Sequence, residues 1–139
     1  MTVSKNYVLD TSAVIAFIHN ERGSDVIQEI FNDAQKRTAR AYASFVTFTE
    51  IYYIIWRHKG EESAKDVMVI MEAMPLECVH SNDQLSLNAG RIKANYRLSL
   101  ADAFVAATAI EKNAILVHKD PEMASMQKYV ETVQLPYKK

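Results

Sequence analysis

The feature that most constrains this chain is a repeated change of period: runs of three to five apolar residues, rich in Val, Ile and Ala, alternate with longer stretches of helical spacing. The first instance is NYVLDTSAVIAFI, residues 6–18. It predicts a buried strand over 7–9 that stops at Asp10, followed by a helix to about residue 19 carrying Val14, Ile15, Phe17 and Ile18. The pattern then recurs. Gly23 breaks the helix, and Val26, Ile27, Ile30, Phe31 and Ala34 give an amphipathic helix over 24–38, opened by Ser24. A strand is expected over 41–44, and a helix from Thr47 that places Ile51, Ile54, Ile55 and His58 on one face and stops at Gly60. A methionine-rich helix over 61–73 is closed by Pro75, and a strand over 76–79 follows. Helices over 82–96 and 99–113, a strand over 114–117, one or two helical turns from Asp120-Pro121 and a last strand over 130–134 complete the chain. The alanines of 99–113 suit a central, closely packed helix, with Asn113 as its C-terminal cap.

Strands this short, separated by helices, cannot be joined as hairpins. They require a parallel sheet covered on both faces and linked by right-handed crossovers, an α/β three-layer sandwich. A length of 139 residues suits one domain over 1–139, with no internal repeat or linker. The composition, 49% hydrophobic and 24% charged, is that of a soluble globular protein, and no apolar run is long enough to span a membrane. The first residues lack the pattern of a secretory signal, and a lone Cys78 rules out an internal disulfide or a multi-thiolate zinc site, so a cytoplasmic setting and an inert buried thiol are expected. A formal charge of -1 argues against coating nucleic acid by bulk electrostatics, although local clusters (Arg37 with Arg40, residues 57–59, residues 91–97) remain as solvated faces or phosphate contacts.

Four acids carry the functional argument. Asp10 stands where an N-cap belongs, Thr47-Phe48-Thr49-Glu50 and Ser99-Leu100-Ala101-Asp102 have capping-box spacing, and Asp120 precedes a proline suited to a first helical turn. Each alone reads as an ordinary cap. Together they lie at helix starts, and in a parallel α/β sheet those starts that follow strands line the carboxyl edge where ligands bind. Carboxylates brought together repel one another, and a divalent cation resolves that repulsion. An all-oxygen donor set suits Mg²⁺ or Mn²⁺, whereas His19, His58, His80 and His118 show no zinc-ligand spacing. Such an ion reverses the sign of the site, admits a polyanionic substrate and lowers the pKa of a water, which is chemistry for phosphate-ester hydrolysis. Ser12 could donate to a phosphate oxygen or a metal-bound water, or be a plain helix-start serine.

Other chemistries lack their parts. Three glycines, Gly23, Gly60 and Gly90, permit no phosphate-binding loop, dinucleotide fingerprint or nucleophile elbow. A phosphatase with an aspartyl nucleophile would want a second Asp where Ser12 stands.

At these residues the sequence resembles the PIN-domain nucleases and, within them, VapC-like toxins of toxin–antitoxin pairs. The resemblance runs through YVLDTSAVIAFI, FTEIYYII, SLADAFVAATAIE and ILVHKDPEM, in that order, and covers nearly the whole chain. It implies that Asp10, Glu50, Asp102 and Asp120 form a catalytic metal site for Mg²⁺- or Mn²⁺-dependent endoribonuclease action on RNA. It further implies a homodimer and a small antitoxin protein that occupies the acidic groove. The chain departs from the family at the fourth motif, where His118-Lys119-Asp120-Pro121-Glu122 replaces a small hydroxyl with paired acids; Glu122 is a substitute ligand there and Lys119 a contact for substrate phosphate. Two alternatives stay open, a stand-alone RNA-processing nuclease and a non-catalytic RNA- or protein-binding scaffold. Tyr52, Tyr53 and Trp56, just after Glu50, are expected in the core or at a dimer contact rather than as base-stacking platforms.

Overall fold

A computed structural model describes residues 5–119 and 121–136; Asp120, the expected fourth acid, lies outside the described residues. The elements run β1 (Lys5–Leu9), α1 (Thr11–Ile18), α2 (Ser24–Gln35), β2 (Ala39–Ser44), α3 (Phe45–Lys59), α4 (Glu61–Ala73), β3 (Glu77–Val79), α5 (Asp83–Asn95), α6 (Leu100–Glu111) and β4 (Ile115–His118). A 3-10 segment (Pro121–Lys128) and β5 (Thr132–Gln134) follow. Every expected strand is present, and all pairings are parallel in the order β3-β2-β1-β4-β5. The chain builds outward from β1 to β3 and then returns to place β4 on the other side of β1. That reversal makes the carboxyl ends of β1 and β4 the topological switch point of the sheet.

Alternation along the strands assigns the two faces. Val8, Tyr42 and Leu116 belong to one core with α5 and α6, while Leu9, Ala41 and Val117 belong to the other with α1 to α4. The three-layer sandwich follows from that division. On the first face Ala103, Ala106 and Ala109 of α6 are fully buried, and their small side chains bring the helix close to β1, β2 and β4. On the second, Phe17 of α1 meets Phe31 of α2 edge-on at 5.0 Å between ring centroids.

Helix starts are where the structure departs most from sequence expectation. Helix α3 begins at Phe45 rather than Thr47, because Ser44, the last residue of β2, caps it directly by accepting from the Val46 N–H at 3.3 Å. Thr47 is therefore buried inside the helix instead of capping it, and the expected capping box with Glu50 does not form. Helix α2 starts at Ser24, but its N-cap is Gly23 at φ 96°, and the Ser24 hydroxyl donates to Asn20 Oδ1. A Cβ at residue 23 would stand 3.0 Å from the Leu135 side chain, so glycine answers both the backbone angle and the space. Asn113 does close α6, at φ 49°, with the Ala114 N–H returned to the Ala109 carbonyl.

Three smaller expectations resolve here. His58 is exposed and bonds the Ile54 carbonyl rather than joining the apolar face. Tyr52 packs against the core and meets Trp56 edge-on, whereas Tyr53 and Trp56 stay exposed, Tyr53 beneath the Arg57 guanidinium. Cys78 is half-buried, and burial pushes its thiol above the usual range. Among the described residues no helix is long and apolar enough to cross a membrane.

The close approach of α6 is testable. Ala106→Leu should force the helix off the sheet and cost about 1–3 kcal/mol or more, read as a lower urea midpoint with unchanged slope.

Candidate active site at the carboxyl edge of the sheet

The last residue of β1 is followed without a loop by Asp10, whose N–H still donates to the Val117 carbonyl of β4 at 3.0 Å. Asp10 is thus the hinge between strand and helix. Its backbone is extended, with φ -77° and ψ 175°, and its Oδ1 accepts from the Ala13 N–H at 2.8 Å, the N-cap bond of α1. By the two-residue period of β1 it shares the face of Val8, the face that α6 covers. Only 3% of Asp10 is exposed. A carboxylate at that depth survives only with hydrogen bonds and compensating charge, and the positive end of α1 contributes some of the latter.

Ser12 supplies a second bond. Its hydroxyl donates to Asp10 Oδ1 at 2.7 Å and accepts from the Lys119 N–H at 3.0 Å, joining the start of α1 to the residue after β4. One hydroxyl therefore bridges the carboxyl ends of β1 and β4. Ser12 was read from the sequence as a donor to a phosphate oxygen or a metal-bound water, or as a plain helix-start serine; here its hydroxyl is given to Asp10.

Glu50 lies a turn and a half into α3, partly buried, with Oε1 receiving the Thr11 hydroxyl at 2.6 Å; that hydroxyl also lies 3.3 Å from Thr47 Oγ1. Thr11 was not read as functional from the sequence, although a hydroxyl residue between Asp10 and Ser12 at a helix start is the signal that could have found it. Asp102 stands in the first turn of α6, its N–H bonded to the Ser99 hydroxyl at 3.1 Å as the capping box requires. Phe104, two residues on, meets Phe45 at the start of α3 edge-on at 5.2 Å between centroids. The first turns of α3 and α6 are thereby packed together.

The fourth motif behaves differently from expectation. His118 is fully buried at the end of β4. Lys119 was expected to face substrate phosphate; instead its ammonium bonds Glu21 Oε1 at 3.0 Å and the Arg22 carbonyl at 3.3 Å, with 9% of the side chain exposed. Two of its three protons are spent on the α1–α2 turn. Glu122 is exposed in the 3-10 segment. Among the described residues no three His, Cys, Asp or Glu side chains stand close enough to hold a metal. The donor chemistry nonetheless suits a hard divalent cation: the Asp10 and Glu50 carboxylates, each oriented by a hydroxyl of the α1 start, Ser12 and Thr11.

Residues 7–129 match the PIN domain family. No curated protein sequence matches the chain significantly. Among solved structures, the VapBC2 complex of Rickettsia felis bound to promoter DNA contains a chain that superposes with a TM-score of 0.74 at 17% identity, covering 94% of this chain and 99% of that one. DNA-bound VapBC from Salmonella typhimurium gives 0.74 at 18% identity, covering 94% and 98%. VapC20 of Mycobacterium tuberculosis, described as a Sarcin-Ricin loop cleaving toxin, gives 0.70 at 14% identity, covering 94% and 99%.

The hydrogen bonds separate two kinds of residue. Asp10→Asn keeps an equally good N-cap and should unfold within about 1 kcal/mol of wild type, whereas Ser12→Ala orphans the Lys119 N–H and should cost about 1–3 kcal/mol; urea denaturation of both measures the contrast.

Proposed function

The chain belongs to the PIN domain family, and from that premise we propose that it is a Mg²⁺- or Mn²⁺-dependent endoribonuclease, the toxin of a toxin–antitoxin pair. The observation that carries the reading is the burial of Asp10 at the carboxyl end of the middle strand, where the sheet order reverses. In this reading Asp10 and Asp102 hold the ion, Glu50 and Asp120 complete the set, and Glu122 is the substitute for Asp120. When bound, the ion lowers the pKa of a water and offsets the charge that develops on the phosphodiester.

The chain's own groups do the positioning. The Ala13 N–H and the Ser12 hydroxyl fix one oxygen of Asp10, and the Thr11 hydroxyl fixes one oxygen of Glu50, so neither carboxylate is free to rotate away. Carboxylates without a counter-charge would repel the phosphodiester, which is the need a cation held by Asp10 and Asp102 would meet. The similarity to chains of VapBC complexes supports an antitoxin partner. A homodimer and a cytoplasmic setting belong to the same proposal.

Asp10→Asn and Asp102→Asn should each lower RNA cleavage by about 100-fold or more while leaving the thermal midpoint nearly unchanged. A fluorogenic RNA assay with Mg²⁺ or Mn²⁺, with EDTA, and with the ion restored, checks this. Equal cleavage by wild type and both variants would overturn the proposal. A wild type without metal-stimulated cleavage would favour the scaffold reading.

A further inference from the structure

We propose that Lys119 and Glu21 are a positioning pair that sets the orientation of Asp10 through Ser12, a role that rests on the nuclease reading above. Lys119 is attached at both ends of α1. Its N–H donates to Ser12 at the start of the helix, and its ammonium bonds Glu21 and the Arg22 carbonyl just beyond the end, across an eight-residue helix about 12 Å long. Glu21 is itself held: its N–H bonds the Ala16 carbonyl at 2.8 Å, and its carbonyl receives the Ser24 N–H at 3.0 Å. The ion pair therefore ends on a fixed turn.

From that turn the linkage runs to the candidate site without a gap. Glu21 anchors the Lys119 side chain, the Lys119 peptide directs its N–H at Ser12 Oγ, and the Ser12 hydroxyl donates to Asp10 Oδ1. Each step is a hydrogen bond of 3.0 Å or less. A buried ion pair adds little net stability compared with apolar side chains of the same size, so stability alone does not explain a lysine with 9% of its side chain exposed here. The peptide that carries the Lys119 N–H is also held through the His118 carbonyl, which accepts from the Leu135 N–H at 2.7 Å. What the pair adds is a second anchor, which ties the end of β4 to the α1–α2 turn on the α1 side.

Glu21→Gln removes one charge without altering residue 119 and gives the decisive measurement. Hydrogen exchange of the Lys119 amide in the full-length variant should accelerate about tenfold relative to wild type, while core amides of β1 keep their protection. In the same variant, and in Lys119→Met, kcat for RNA should fall by about 10- to 100-fold and the Mn²⁺ concentration for half-maximal rate should rise, with KM for RNA unchanged. Lys119→Arg, which retains the pair, should restore kcat. The double variant Glu21→Gln/Lys119→Met should lose no more than either single one, as expected for two ends of one linkage. Unchanged exchange at the Lys119 amide in Glu21→Gln, or faster exchange with wild-type kcat and Mn²⁺ dependence, overturns the inference. A wild type that does not cleave RNA overturns the nuclease reading instead, and the amide exchange together with Mn²⁺ calorimetry on the same variants then decides whether the pair holds the peptide and Asp10.

Discussion

The Asp10 carboxylate is bound twice at one oxygen, by the Ala13 N–H at 2.8 Å and the Ser12 hydroxyl at 2.7 Å, at the point where the middle strand becomes a helix. The rest of the carboxyl edge depends on that junction. Because the same residue still donates its N–H to β4, the helix cannot start elsewhere without breaking a sheet hydrogen bond, and the acid cannot move without uncapping the helix. A buried charge is costly unless it is paired or hydrogen-bonded. Here its hydrogen bonds are the structural bonds of the fold, so the position of the carboxylate is set as firmly as that of the backbone.

Sheet order extends this local constraint to the other acids. Strand β2 lies beside β1 in parallel register, Val8 opposite Tyr42, so Ser44 ends its strand level with Asp10 and likewise caps a helix with no loop between. Two helices thus leave neighbouring strands at the same height. Their first turns are near enough for the Thr11 hydroxyl to reach Glu50 and Thr47, which converts an accident of register into a bond between α1 and α3. Helix α6 joins from the opposite face through Phe104 against Phe45. Three helix N-termini therefore point toward one edge, and their partial positive charges favour carboxylates there before any ion arrives.

Much of this was legible in the sequence because it is governed by period. The change from strand to helix at Asp10, the parallel sheet and the alanine-rich central helix all follow from spacing and residue size. What escaped was set by tertiary contact. Thr47-Phe48-Thr49-Glu50 has capping-box spacing, yet Ser44 won the cap because β2 runs directly into α3, and no local pattern distinguishes a serine that ends a strand from one that merely precedes a helix. Gly23 read as a breaker and proved to be the N-cap of α2 at φ 96°, with Leu135, more than 100 residues away, crowding the place where a Cβ would stand. Thr11 acquired meaning only once Glu50 was known to lie within reach of it.

Lys119 shows why charge cannot be assigned from sequence neighbours alone. A lysine next to an acidic motif invites two readings, a phosphate contact or an internal counter-ion for the acids, and in the second it would compete with a cation for the same carboxylates. Opposite unit charges 4 Å apart near a protein surface attract by about 4 kcal/mol, enough to neutralise much of an acidic crevice. The structure removes that competition by giving the ammonium to Glu21, on the far side of α1 from Ser12. The backbone of Lys119 stays to orient Asp10 while its charge is cancelled elsewhere. The ammonium of Lys119 is therefore not a counter-ion for Asp10, and the departure at residue 119 adds no free positive charge beside that carboxylate.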